Sequence, residues 1–301
     1  MPKAVVMTGA GAPDVLKWTD VPWVEPAAGQ VRIKVRAAGI SPTDLALRSG
    51  RLKAFSLSED AVLGFQVAGT VDAVGPSVTG AHVGDEVVAF LLQLGGYAEY
   101  AIASIWTPKP ATVSWTDAAA LPSAAEATVR VLRELEVRDG ERLVLFGGAG
   151  AVGTIATQLA ARQGVTVISA VGRQDLDFAR ELGAVPVQYG EGVVERIRAL
   201  GGVNAVFDAA GAGVLADAIT LTGRPDRVIT LSDPAAARFG VRLSGPDAGR
   251  AAAALADVAA LLAEKQLRLR PYTVAPMSDA GEVHRRLESG ELHGQVVLAV
   301  D

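Results

Sequence analysis

The sequence predicts an α/β protein in two parts: a β-rich, barrel-like part and a parallel sheet covered on both faces by helices. Three observations carry this. Residues 1–110 hold short strand patterns punctuated by turn residues. From about residue 142 to residue 232, strand and helix patterns alternate, which implies parallel strands joined by crossover helices. Finally, the apolar run Leu143-Val144-Leu145-Phe146 ends in Gly147-Gly148-Ala149-Gly150-Ala151-Val152-Gly153 and opens directly into a helical pattern.

In the first part, residues 31–37 alternate apolar and polar side chains, as a strand with one buried face does. Residues 67–75 and 86–90 are further strands, bounded by Pro76, Gly80, Gly84 and Asp85. The pattern changes near residue 115: Thr116 caps a short helix over 116–120, and residues 124–135 form another. Strands over 142–147, 165–171, 185–189, 203–208 and 227–231 then alternate with helices that include 153–164 and 175–183. An alanine-rich helix spans 250–267, and the strand-like tail at 295–300 is expected to return to the first part. The expected domains are therefore 1–115, completed by 268–301, and 116–267.

The glycine cluster points to a dinucleotide, because it lies between a strand and a helix. Gly148 suits a tight turn, Gly150 lets backbone approach a pyrophosphate, and Gly153 lets helix pack against strand. Ala149, Ala151 and Val152 complete the loop, whose helix N-terminus offers unpaired N–H groups to phosphate. The next strand ends in Gly172-Arg173-Gln174 with no acid, and the first carboxylate, Asp175, follows the arginine. A carboxylate there would hold a ribose 2′-OH, whereas an arginine suits a 2′-phosphate. NADPH is the expected cofactor; the bland alternative for Arg173 is a solvated start to the next helix.

Composition narrows the classes. The chain has 301 residues, net charge −5 and no cysteine. Disulfides, thiolate nucleophiles and cysteine-built metal sites are excluded. His82, His284 and His293 show no metal-ligand spacing, and no basic stripe invites nucleic acid. No apolar run reaches membrane-span length, and the start reads as a strand rather than a signal peptide, so a cytoplasmic protein without a membrane partner is expected.

Several segments in order resemble the medium-chain dehydrogenase/reductase superfamily, in its zinc-independent quinone oxidoreductase-like branch. They are Ala37-Ala38-Gly39-Ile40-Ser41-Pro42-Thr43-Asp44, Leu63-Gly64-Phe65-Gln66-Val67-Ala68-Gly69, Gly95-Gly96-Tyr97-Ala98-Glu99-Tyr100, the glycine fingerprint, Glu181-Leu182-Gly183-Ala184 and the ending from His284 to Leu298. The resemblance implies a GroES-like β-barrel domain plus a Rossmann doubly wound domain, with the nicotinamide between Ser41, Gln66 and Thr128. It also implies a homodimer, joined through the edge at 227–231. Zinc-dependent members carry Cys in the early loop and Gly-His-Glu in the second signature. Here Ser41, Phe65 and Gln66 stand at those places, a set unsuited to zinc. No metal is expected.

A metal-free site constrains the reaction. Hydride removal from an alcohol needs its oxygen deprotonated, commonly by a metal. Hydride addition to an enone or quinone needs only hydrogen bonds to a carbonyl oxygen that gains charge. The expected activity is NADPH-dependent reduction of a quinone or of an activated C=C bond in an enone or enoyl substrate. The alternatives are a metal-free carbonyl or alcohol reductase, and an NADPH-binding module with little catalysis. The sparse polar set Ser41, Thr43, Gln66 and Thr128 favours a small, fairly apolar carbonyl or quinone substrate.

Individual residues keep two readings. Ser41 could donate to the developing oxyanion or form an ST-turn before Pro42. Gln66 could orient substrate or satisfy backbone, and Asp44 is better suited to holding loop N–H groups. By resemblance Thr128 touches the nicotinamide-ribose side; otherwise it bonds its own preceding helical turn. Tyr189, near Arg173, could meet adenine or the 2′-phosphate, or be an ordinary strand-end tyrosine. Ala210 and Gly211 follow a strand carboxyl end, where ligands bind. Residues 55–59 and 238–246 are candidate pocket walls.

Overall fold

The computed structural model describes residues 1–52, 57 and 60–300. Of the candidate wall at 55–59, only Leu57 lies within the described residues. In chain order the elements are β1 (Lys3–Met7), β2 (Leu16–Asp20), β3 (Val31–Gly39), α1 (Pro42–Arg48), β4 (Ala61–Val62), β5 (Gln66–Val74), β6 (Glu86–Phe90), β7 (Tyr100–Ala103), β8 (Trp106–Pro108) and α2 (Trp115–Ala119). Then come α3 (Pro122–Leu135), β9 (Arg142–Phe146), α4 (Ala151–Arg162), β10 (Thr166–Val171), α5 (Leu176–Glu181), β11 (Val185–Gln188), α6 (Val193–Arg198) and β12 (Ala205–Asp208). The chain closes with α7 (Leu215–Thr222), β13 (Val228–Thr230), β14 (Arg242–Leu243), α8 (Ala248–Ala263), β15 (Tyr272–Pro276), α9 (Ala280–Glu288) and β16 (Gln295–Ala299). Among the described residues no helix is long and apolar enough to cross a membrane.

Two compact units form. The first comprises 1–123, 248–266 and 271–301; the second comprises 124–247 and 267–270. The first unit is built on β3, which pairs antiparallel with β5, β7 and β16. Its alternation puts Val31, Ile33 and Val35 in the core while Lys34 and Arg36 stay exposed. The tail does return here, as β16.

In the second unit six parallel strands run in the order β11-β10-β9-β12-β13-β14. Both faces are covered. Leu143 and Leu145 pack with Val131, Leu135, Ala156, Ala160 and Phe207 from α3, α4 and β12. Val144 and Phe146 point the other way, into a core with Val193, Ile197 and Leu215 from α6 and α7. A strand buried on both faces has no polar side to show, hence its continuous apolar run.

The unit boundaries and the sheet edge differ from expectation, and residues 268–270, expected in the first part, group with the second unit. Residues 116–123 and α8 group with the first unit, because Ala251 joins that unit's core and the Thr112 hydroxyl bonds the Ala263 carbonyl at 3.4 Å. Periodicity reveals an apolar stripe but not which core receives it. The sheet edge is also not at 227–231: β13 lies between β12 and β14, so the edge strand is β14, with Arg242 and Leu243 exposed.

Candidate functional site

In the second unit, the turn between β9 and α4 is left-handed at Gly147 (φ 80°), one residue before the position expected from the sequence. A Cβ at Gly148 would meet the Ser169 hydroxyl at 1.7 Å. Gly150 is exposed and caps α4 with no side chain. The first N–H groups of this helix, on Ala151, Val152 and Gly153, receive no side-chain cap among the described residues. Ala149 is buried, and Ala151 and Val152 are half-buried. At Gly153 a Cβ would lie 2.3 Å from the Gly147 oxygen and 2.5 Å from Gly148 Cα, so only glycine lets helix and turn approach this closely. The result is an uncapped helix end behind a backbone-lined turn, a geometry that accepts phosphate.

The neighbouring strand ends frame this turn. Gly172 follows β10 and caps a 3-10 turn over Arg173–Asp175. Arg173 is exposed, and its guanidinium makes no hydrogen bond or ion pair among the described residues. Tyr189 is 43% exposed, and its N–H donates to the Val171 carbonyl at 2.7 Å, so it shares this carboxyl end with Arg173. After β12, the buried Asp208 carboxylate accepts from the N–H groups of Ala210 and Gly211, both at 3.0 Å, and from the Thr230 hydroxyl at 2.8 Å. That holds the loop against the glycine turn, where Ala210 lies next to Gly147.

Thr128 differs from expectation. It is fully buried, and its hydroxyl donates to the Val152 carbonyl at 3.1 Å. It braces α3 against the first turn of α4 rather than bonding its own preceding turn. Arg270 joins this neighbourhood without any signal in the sequence around it. Its guanidinium donates to the Ala149 carbonyl and pairs with Asp175 at 3.3 Å. No local pattern signals this, because the partners lie 121 and 95 residues away.

In the first unit, Ser41 is the N-cap of α1 in a reciprocal capping box with Asp44. The Asp44 carboxylate accepts from the Ser41 N–H at 2.7 Å, the Ser41 hydroxyl at 2.8 Å and the Gly64 N–H at 3.0 Å. Asp44 thus holds loop backbone, and the Ser41 hydroxyl proton is committed to it; Ser41 is not a free donor to an oxyanion. Ser41→Ala is expected to lower stability by about 0.5–2 kcal/mol while leaving nucleotide affinity unchanged, which thermal melts and a binding titration check together. Gln66 is buried, and its Oε1 accepts from the Ser123 N–H at 3.0 Å. Its Nε2 donates to no protein group among the described residues, so Gln66 satisfies backbone at one end and keeps a donor at the other.

Beneath this loop lies a buried polar network. Arg48 pairs with Glu288, and the Tyr97 hydroxyl interacts with Asp44 and lies 3.4 Å from His284 Nε2. Burial raises Asp44 to about 6, against the opposing hydrogen bonds from Ser41 and Gly64. Burial, aided by Arg48, lowers His284 from 6.5 to about 3. Neutral His284 therefore contributes stability above pH 6.5 that is lost as pH falls toward 3. Asp44 acts oppositely: its contribution is present below 3.8 and lost as pH rises through about 6. The two offset between roughly pH 4 and 6. Urea midpoints across this range should therefore rise toward acid in His284→Gln relative to wild type; parallel pH profiles would refute the assignment.

The donor set does not fit zinc. Ser41 and Gln66 are committed as described, Phe65 offers no donor, and no group of three or more His, Asp or Glu side chains clusters among the described residues.

A barrel-type unit joined to a parallel-sheet unit with a glycine-lined, uncapped helix end defines a two-domain, GroES-like plus Rossmann protein. Residues 27–109 match the alcohol dehydrogenase GroES-like domain model, and residues 151–235 match the zinc-binding dehydrogenase model. The chain belongs to the medium-chain dehydrogenase/reductase superfamily, in its quinone oxidoreductase-like branch. It is 32% identical, over 81% of its length and 66% of the relative's, to 2-methylene-furan-3-one reductase of Solanum lycopersicum. The solved quinone oxidoreductase of Coxiella burnetii superposes with TM-score 0.89 at 28% identity, covering 100% of this chain and 99% of that one. A mycobacterial structure complexed with NADPH superposes with TM-score 0.86 at 28% identity, covering 99% and 100%. The chain spans only 51–57% of the length of several other curated relatives it matches.

Proposed function

We propose that this protein is a cytoplasmic, homodimeric, zinc-independent oxidoreductase that uses NADPH to reduce a quinone or the activated C=C bond of an enone or enoyl substrate. One observation carries the reading: an exposed Arg173, unpaired among the described residues, stands at the strand end beside an uncapped, glycine-lined helix N-terminus. That pairing suits a pyrophosphate and a 2′-phosphate on one nucleotide. Gly148, Ala149, Gly150, Ala151, Val152 and Gly153 would hold the pyrophosphate. Gly172, Arg173 and Tyr189 would hold the adenosine end, and Ala210 and Gly211 would line the turn. Thr128 would position the helix that carries these groups. When bound, NADPH supplies a hydride. The tomato reductase and the NADPH-bound mycobacterial structure agree with this chemistry.

The chain's own part is to hold substrate and stabilise charge. A carbonyl oxygen that gains negative charge needs a preorganised donor. The Gln66 amide keeps its Nε2 for that task, fixed at its other end by the Ser123 N–H. Ser41 would shape the loop through Asp44. With no metal donor set among the described residues, hydrogen bonds would activate the substrate, which favours quinones and enones over alcohols. The edge strand β14, with Arg242 and Leu243 exposed, would offer a second copy an edge to pair with.

Spectrophotometry of NADPH oxidation against 1,4-quinones, enones, enoyl thioesters and aldehydes tests the reading, alongside metal analysis and sedimentation. Turnover of quinones or enones by zinc-free dimer is expected. Failure of NADPH to bind in a calorimetric titration, or a transition metal required for turnover, would overturn it.

A further inference from the structure

The segment Leu267–Arg270 leaves α8 and rejoins the sheet unit. The Gln158 amide fastens it there: its Oε1 accepts from the Arg268 N–H at 3.0 Å, and its Nε2 donates to the Arg268 carbonyl at 2.9 Å. Leu267 is buried, and the Arg268 side chain pairs with Glu181 at 2.8 Å and lies 5.4 Å from the Phe178 ring. Four anchors thus fix a short segment, and what they deliver is Arg270. Its guanidinium reaches Asp175 at 3.3 Å and the Ala149 carbonyl, with the Phe178 ring 5.9 Å away.

We infer that Arg270 is a specificity-determining residue that makes this site prefer NADPH over NADH by engaging the Asp175 carboxylate. The inference rests on the nucleotide reading above. Asp175 is the first acid after β10 and lies two residues past Arg173. A carboxylate in this neighbourhood accepts a ribose 2′-OH and repels a 2′-phosphate. Left alone, it would also cancel Arg173. The Arg270 pair is about one-fifth exposed on each side, shielded enough for the charges to act on one another. With Arg270 present, the three groups sum to a cation and the acid is held on the Arg270 guanidinium. A merely structural Arg270 would instead brace the turn through Ala149, helping both nucleotides alike.

Dissociation constants for NADPH and NADH, read by quenching of protein fluorescence, separate these roles in wild type, Arg270→Met, Asp175→Asn and the double variant. Arg270→Met should weaken NADPH about tenfold and leave NADH unchanged or slightly tighter, since the freed carboxylate can accept the ribose 2′-OH. Asp175→Asn should tighten NADPH a few-fold and leave NADH alone, and it should restore most of the preference lost in Arg270→Met. Should Arg270→Met fail to fold, Asp175→Asn still reads the repulsion directly, and Arg270→Lys, which keeps the charge, should retain the preference. Equal losses for both nucleotides, or no effect of Asp175→Asn, overturn the inference while the nucleotide reading stands. A wild type that binds neither nucleotide overturns that reading, and this inference with it.

Discussion

Gly153→Ala is expected to do the most damage of any single-methyl change at the nucleotide site. The new Cβ would meet two backbone atoms, the Gly147 oxygen at 2.3 Å and Gly148 Cα at 2.5 Å. Neither can rotate away, so α4 must shift from the turn it supports. Overpacking of this kind costs about 1–3 kcal/mol. The same shift would separate the helix N-terminus from the turn, so NADPH affinity should fall by more than about tenfold, since each 1.4 kcal/mol is a factor of ten. Gly148→Ala provides the contrast. Its Cβ would meet the Ser169 hydroxyl at 1.7 Å, but that hydroxyl has no hydrogen-bond partner among the described residues and can turn aside. Gly148→Ala should therefore be milder, and Ser169→Ala should partly relieve it. A Gly153→Ala protein with wild-type melting temperature and NADPH affinity would disprove this account of the turn.

Arg173→Ala should act in the opposite manner, sparing stability and changing selectivity. Arg173 is exposed and makes no protein hydrogen bond or ion pair among the described residues, so its removal leaves the fold intact. A charged hydrogen bond to a phosphate contributes about 1.5–3 kcal/mol, which predicts a loss of roughly 10- to 100-fold for NADPH. NADH lacks the 2′-phosphate and should bind nearly as before. Matched titrations with the two nucleotides check this. Equal losses would remove Arg173 from the adenosine end.

These two predictions differ in where they can be read. Glycines between an apolar strand and a helix announce themselves locally, since backbone conformation and close approach are imposed over a few residues. Even so, the left-handed residue is Gly147 rather than Gly148, because several neighbouring glycines satisfy the same turn pattern. The position of Arg173 was legible because it follows the end of a β-branched strand by two residues. Ser41, Gln66 and Thr128 were legible as positions but not as roles. Each is polar and near a turn or helix, and its role depends on which partner the fold brings to it. For Ser41 that partner is Asp44, for Gln66 the Ser123 N–H, and for Thr128 the Val152 carbonyl.

The sequence by itself determined the two-part α/β architecture, the parallel strands, the glycine turn and the lack of thiolate ligands. All of these follow from periodicity, glycine freedom and composition, which act over short spans of chain. The tertiary structure alone decided that α8 belongs to the first unit, that β14 is the sheet edge and that Arg270 joins Asp175 and Ala149. The physical reason is sequence separation. Contacts such as Arg270 with Ala149, 121 residues apart, exist only once the sheet and its returning segment have closed, and no local preference encodes them.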